Sequence, residues 1–162
     1  MAKIRPCLWF DGNAEQAAEF YVTLLPDSRV DKVWPSPADT PSGAAGTVLL
    51  VDFTLAGEQF QALNGGPEFN FNEAISFAID CEDQAEVDQL WERLTADGGE
   101  PSVCGWLKDR FGLSWQIVPR RLNELMADPD SDRARRATEA MLKMTKIEVA
   151  ELERAAEAVE AA

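Results

Sequence analysis

One structural unit is written twice in this chain, and that duplication constrains the fold more than any other feature. Asn13-Ala14-Glu15-Gln16 has the form of a helix start, a capping side chain with a glutamine three residues on. Asp83-Gln84-Ala85-Glu86, 70 residues later, has the same form. Behind the first cap an apolar stripe falls at Ala17, Phe20, Tyr21 and Leu24, and behind the second at Val87, Leu90, Trp91 and Leu94. Both follow the i, i+3, i+4, i+7 spacing of one buried helix face. A short strand-like run precedes each cap: Ile4 to Phe10, and Ala74 to Asp80, where Ile75, Phe77 and Ile79 alternate with smaller or polar residues.

The match resumes beyond the helices. Gly57-Glu58-Gln59-Phe60-Gln61-Ala62-Leu63 parallels Gly112-Leu113-Ser114-Trp115-Gln116-Ile117-Val118 at an offset of 55, so the second copy is 15 residues shorter between its helix and last strand. The Pro/Ser/Gly-rich stretch Pro35 to Gly43 supplies much of that difference and reads as an exposed, mobile hairpin loop. Each copy is therefore a strand, a helix and about three strands. The later strands are expected at Arg29–Pro35, Thr47–Ala56 and Glu58–Asn64, then at Pro101–Gly105, Trp106–Lys108 and Leu113–Pro119. Three helices follow, at Leu122–Ala127, Asp132–Met144 and Glu148–Ala161, the last with Val149, Leu152, Ala156 and Val159 on one face. The expected organisation is an α+β domain over 1–121, with modules at about 3–66 and 73–120, and a C-terminal helical extension over 122–162.

Composition removes several functions. At 162 residues the chain is long enough for one domain or two small halves. Its net charge of −14 repels a phosphate backbone and an anionic membrane surface. No apolar run reaches the roughly 18 residues of a membrane span, and the N-terminus lacks the apolar stretch of a signal peptide. Cys7, Cys81 and Cys104 have no paired spacing, which points to a reducing cytoplasm. Histidine is absent, so Ser-His-Asp and Cys-His catalysis are excluded and the commonest metal ligand is missing.

Two stretches resemble a known family. Leu8-Trp9-Phe10-Asp11-Gly12-Asn13-Ala14-Glu15 with Phe20-Tyr21, and Cys104 through Pro119, resemble the PhnB-like family of the vicinal oxygen chelate superfamily, often labelled "3-demethylubiquinone-9 3-methyltransferase domain". The resemblance covers about residues 3 to 145. It implies paired βαβββ modules, the glyoxalase/bleomycin resistance/dihydroxybiphenyl dioxygenase fold, curled around a small-molecule cavity, usually in a homodimer. The methyltransferase label finds no support in the residues. A nucleotide-type cofactor site needs a glycine-rich turn from strand to helix, and neither Asn64-Gly65-Gly66-Pro67 nor Asp97-Gly98-Gly99 makes that connection.

Enzymes of the superfamily draw metal ligands from the first and last strand of each module. The positions matching them here are Pro6, Gln61, Ser76 and Gln116. Proline offers no side-chain donor and neutral amides and hydroxyls are weak ones, so no metal and no other cofactor is expected. The candidate cavity residues are Trp9, Gln61, Ser76, Trp106, Trp115 and Gln116. Gln61 and Gln116 either satisfy buried groups or orient a ligand carbonyl or amine. Trp9 and Trp115 either pack core or form an aromatic wall for a planar ligand, while Trp91 belongs to a helix stripe and to the core.

Other polar residues invite simpler readings. Cys7 and Cys104 read as inert thiols. Asp109, beside Arg110 in a turn, reads as a cap for backbone amides. Asp52, which interrupts Val48-Leu49-Leu50-Val51-Asp52-Phe53, is an acid/base candidate with a raised pKa if it faces the cavity, and a solvent-facing charge otherwise. Three functions stay open: a metal-independent protein binding a small hydrophobic or planar ligand, a lyase, isomerase or metal-dependent enzyme, and a structural or regulatory homodimer with a filled cavity.

Overall fold

The computed structural model describes residues 2–158. The chain divides into two compact units, Met1–Phe71 and Asn72–Ala162, and a strand–helix–three-strand order occurs in each. The first contains β1 (Cys7–Phe10), α1 (Ala14–Tyr21), β2 (Arg29–Pro35), β3 (Val48–Leu55) and β4 (Glu58–Asn64). The strands lie in the order β1-β4-β3-β2, with β1 parallel to β4 and the other pairs antiparallel. Side chains alternate between faces along a strand, so Leu8, Phe10, Val51, Phe53, Leu55 and Ala62 share one face and are buried there. The helix covering it buries Ala14, Ala17, Ala18 and Tyr21. α1 ends at Tyr21, and Leu24 extends its apolar stripe from the turn that follows.

The two helix starts differ from one another. Asp83 caps α2 (Gln84–Thr95) as expected, its carboxylate accepting the Glu86 N–H at 2.9 Å. Asn13 holds the equivalent position on α1, yet its side chain makes no capping bond. Asn64 Oδ1 accepts the Ala14 N–H instead, at 2.9 Å, while its Nδ2 donates to the Val48 carbonyl. Asn64 ends β4 in register with Phe10, the last residue before that helix turn, so the sheet itself delivers the cap. The expected mobile loop after β2 carries its own bonds. The Ser36 N–H donates to the Thr47 carbonyl at 2.7 Å, the Ala45 N–H donates to Asp39 Oδ1 at 2.9 Å, and Thr40 bridges to Gly43.

The second unit contains β5 (Ser76–Cys81), α2, a short 3₁₀ turn, β6 (Glu100–Pro101), β7 (Trp106–Lys108) and β8 (Ser114–Pro119), ordered β5-β8-β7-β6. Ile79, Cys81, Leu107, Trp115 and Ile117 are buried on one face, and Val87, Leu90 and Leu94 of α2 are buried with them. Trp91 is half-buried. The tail forms α3 (Arg120–Met126), α4 (Ser131–Met141) and α5 (Val149–Glu157). It groups with the second unit and builds its own core from Leu122, Leu125, Ala137, Met144, Ile147, Leu152 and Ala156, against which Val118 of β8 packs. Val159, expected on the α5 stripe, lies outside the described residues.

The tail also explains why β6 is shorter than expected. The Cys104 and Gly105 N–H groups donate to the Met144 and Thr145 carbonyls, each at 2.8 Å, so this segment pairs with the tail rather than continuing the sheet. Gln84 on α2 clasps the same region, donating to the Ile147 carbonyl at 3.0 Å and accepting the Val149 N–H at 2.7 Å. Among the described residues no helix is long and apolar enough to cross a membrane.

Candidate functional site

Each sheet buries one face under its helix, which leaves the opposite face to carry any chemistry. On the first sheet the register aligns two rows across the four strands. One row is Cys7, Gln61, Asp52 and Lys32, and the next is Trp9, Leu63, Leu50 and Trp34. The rows are joined at Asp52. Its Oδ2 accepts the Trp34 Nε1–H at 2.6 Å, and its Oδ1 accepts from Gln61 Nε2 at 2.9 Å and from Arg5 at 3.4 Å. Lys32 lies over the Trp34 ring, 3.3 Å from its centroid.

These contacts settle how Asp52 behaves. It occupies the open face, as the acid/base reading required, but its pKa moves the other way. Burial pushes the carboxyl up, and this is outweighed by hydrogen bonds from Gln61 and Trp34 together with the charges of Arg5 and Lys32, which hold it below the usual carboxylate range. A carboxylate with both oxygens engaged and a lowered pKa is a poor proton carrier near neutrality. The thiols are no better placed as nucleophiles. Burial raises the Cys7 thiol against the opposing charge of Arg5, and burial with nearby carboxylates pushes Cys81 up to about 12.

Trp9 lies on the open face beside Gly65, donating its indole N–H to the Gly66 carbonyl at 2.9 Å and meeting Phe69 edge-on at 5.0 Å. Trp115 takes the core alternative instead of the wall. It is 1% exposed on the helix-covered face, and its Nε1–H donates to Asp109 Oδ2 at 2.9 Å. Asp109 Oδ1 accepts the Phe111 and Leu113 N–H groups, the structural turn role expected of it.

On the second sheet the corresponding open face carries the row Ser76, Ser114, Lys108 and Glu100, beside Ala78, Gln116 and Trp106. Gln116 Nε2 donates to Ser76 Oγ at 2.9 Å. Lys108 is ion-paired with Glu73, which lowers the glutamate and raises the lysine through their mutual hydrogen bond. A cleft of about 190 Å³ opens here, lined by Glu73, Glu100, Ser102, Trp106, Lys108 and Ser114 among others. Of the residues named, only Trp106 stood among the cavity candidates in the sequence; Glu73, Glu100, Ser102, Lys108 and Ser114 did not. Ser114 lies two residues before Gln116 on the same strand, so strand alternation alone could have placed it on the same face.

The register corrects one of the four matched metal positions. Gln61 pairs with Cys7 and Gln116 with Ala78, so the first strands correspond at an offset of 71, whereas the caps Asn13 and Asp83 correspond at 70. The connection from β1 to its helix is one residue longer, and Gly12, with φ +83°, sits in it. The counterpart of Ser76 is therefore Arg5, not Pro6. Pro6 contributes only its carbonyl, which accepts the Gln61 N–H at 2.9 Å. Neither unit's pair fits a divalent metal: the guanidinium and amide of the first and the hydroxyl and amide of the second include no anionic donor, and one of them is a cation. Among the described residues, no group of three or more His, Cys, Asp or Glu could hold one elsewhere.

Comparison with known proteins identifies a family and solved structures of similar fold. The family model described as 3-demethylubiquinone-9 3-methyltransferase matches residues 2–118. A PhnB protein from Bacillus cereus, described by the same methyltransferase name, is 31% identical; the match covers 73% of this chain and 99% of that one, with a TM-score of 0.66. A Pseudomonas aeruginosa protein is 20% identical over 74% and 98% of the two chains, with a TM-score of 0.60. A glyoxalase/bleomycin resistance protein from Albidiferax ferrireducens is 14% identical over 74% and 100%, with a TM-score of 0.46. Among curated proteins nothing matches.

Proposed function

Because the chain belongs to the 3-demethylubiquinone-9 3-methyltransferase (PhnB-like) family, we propose that it is a small-molecule-binding protein of the vicinal oxygen chelate superfamily that works without a divalent metal. The observation that carries this reading is the donor set at the matched positions. Arg5, Gln61, Ser76 and Gln116 already engage one another or Asp52 through hydrogen bonds, and they supply no negative charge to an ion. What each unit carries on its own open face is hydrogen-bonding side chains beside indole, a composition that suits a small planar or hydrophobic ligand held by orientation.

Methyl transfer is not part of the proposal. The strand-to-helix turns Phe10-Asp11-Gly12-Asn13 and Cys81-Glu82-Asp83 contain one glycine and none, so neither repeats the close backbone approach that a dinucleotide-like cofactor requires. In this reading the protein acts as a homodimer in the cytoplasm, and the exposed Trp34, Phe69 and Ile75 are its candidate contact residues. Calorimetric titration of the full chain with Ni²⁺, Zn²⁺ and Mn²⁺ tests the central claim. No saturable binding below millimolar concentrations is expected. Micromolar affinity abolished by Gln61→Ala or Gln116→Ala would overturn it. Analytical ultracentrifugation tests the dimer, for which a monomer at tens of micromolar would be the contrary result.

A further inference from the structure

We propose that the cleft beside β6 and β7 of the second unit binds a small organic ammonium compound, with Ser114 as its hydrogen-bonding anchor. This rests on the small-molecule reading above and names the ligand chemistry for one face. Ser114 is 1% exposed, and its hydroxyl has no hydrogen-bond partner among the described residues. A buried hydroxyl left unpaired costs roughly 1–3 kcal/mol, so native chains seldom keep one without a use. Strand register places it between Ser76 and Lys108, on the face of Gln116 and against the cleft it lines. Ser76, its register partner on β5, accepts from Gln116.

Charge decides which ligand the hydroxyl awaits. Glu73 and Glu100 both line the cleft, against the single cation Lys108. That lysine is held by Glu73 and stands opposite Glu100 in the strand register, which leaves one negative charge over. An anion would have to displace Glu73 from Lys108, face Glu100, and approach a chain of net charge −14. A cation meets the reverse: it is drawn to the surplus carboxylate, it donates to Ser114 Oγ, and Trp106, an aromatic residue, lines the same cleft. The volume of about 190 Å³ lies below the roughly 300–1,000 Å³ of sites for drug-sized ligands, which limits the occupant to a small molecule.

Benzylamine, benzoate and benzyl alcohol share one body and differ in charge, so calorimetry of the full chain with each separates the possibilities. Saturable benzylamine binding is expected, weaker for the alcohol and undetectable for benzoate. Ser114→Ala should weaken benzylamine binding about tenfold. Glu100→Gln should weaken it about threefold, while Glu15→Gln in the first unit leaves it unchanged. Ser114→Ala removes an unpaired hydroxyl, so its melting temperature should equal or exceed that of the parent, which excludes unfolding as the cause of lost binding. Tighter binding of benzoate, no saturable benzylamine binding, or a Ser114→Ala variant that binds like the parent would overturn the assignment. The metal titration reads a separate property, so tight metal binding would remove the proposed function alone, and a silent cleft would remove this inference alone.

Discussion

Replacing Asp52 with asparagine should destabilise the first unit by about 1–2 kcal/mol at pH 7. The side chain bridges two rows of the sheet by accepting from Trp34, Gln61 and Arg5. Asparagine keeps one acceptor oxygen and turns an NH₂ toward a former donor, so either the Trp34 bond or the Gln61 and Arg5 bonds are lost. A hydrogen bond to a charged group contributes roughly 1.5–3 kcal/mol. The figure falls here because Asp52 is 21% exposed and water can replace the missing partner, and because the Arg5 contact at 3.4 Å adds at most about 1 kcal/mol. The pH dependence follows from the lowered pKa. The folded state holds the carboxylate more tightly ionised than the unfolded chain does, so its contribution is complete above the unfolded value near 3.9 and is lost as pH falls through the lower folded value. Urea titrations at pH 7, 5 and 3, followed by tryptophan fluorescence and fitted with a separate transition for each unit, measure this difference. The deficit of the variant should be equal at pH 7 and 5 and smaller at pH 3. Equal stabilities at pH 7, or a deficit undiminished at pH 3, would refute the account of Asp52 as a locked anion.

Other substitutions test other parts of the structure. Asp109→Asn sets an NH₂ against either the Trp115 indole or the Phe111 and Leu113 amides in a buried turn, and should cost about 2–4 kcal/mol in chemical denaturation; a loss under about 0.5 kcal/mol would contradict it. Gly65→Ala would put a methyl group 2.3 to 2.4 Å from three Trp9 ring atoms. The ring must move and release the Gly66 carbonyl, so a changed fluorescence spectrum and a loss of about 1–3 kcal/mol are expected. At pH 8 a thiol with a pKa of about 12 is thiolate in roughly one molecule in ten thousand. Iodoacetamide should therefore label exposed Cys7 before Cys81, and peptide mapping would show the reverse order if the burial argument is wrong.

The parts of the fold set by local periodicity were legible in the sequence. β2, β4 and β7 begin and end where alternation and turn residues place them. What the sequence concealed depends on long-range placement. The α1 cap comes from Asn64, 51 residues beyond Asn13, because β4 runs beside β1 and ends at the helix start. The one-residue slip that exchanges Pro6 for Arg5 lies in the Gly12 connection, and spacing measured from the helix caps carries that extra residue into the strand. The sequence leaves open whether Asp52 faces the cavity or solvent, and the sign of its shift required Trp34 and Arg5, which no pattern links to it. The truncation of β6 needed the tail, whose Met144 and Thr145 carbonyls occupy donors that a strand would have used.

Asp52 also distinguishes two halves that began as copies. Its bonds knit the middle of the first sheet to itself, whereas the second sheet leaves a hydroxyl and a surplus carboxylate waiting at its border. A guest suited to one surface would find no duplicate of that surface elsewhere in the polypeptide. Saturation should then arrive at a single equivalent per chain, despite the twofold repetition of the scaffold.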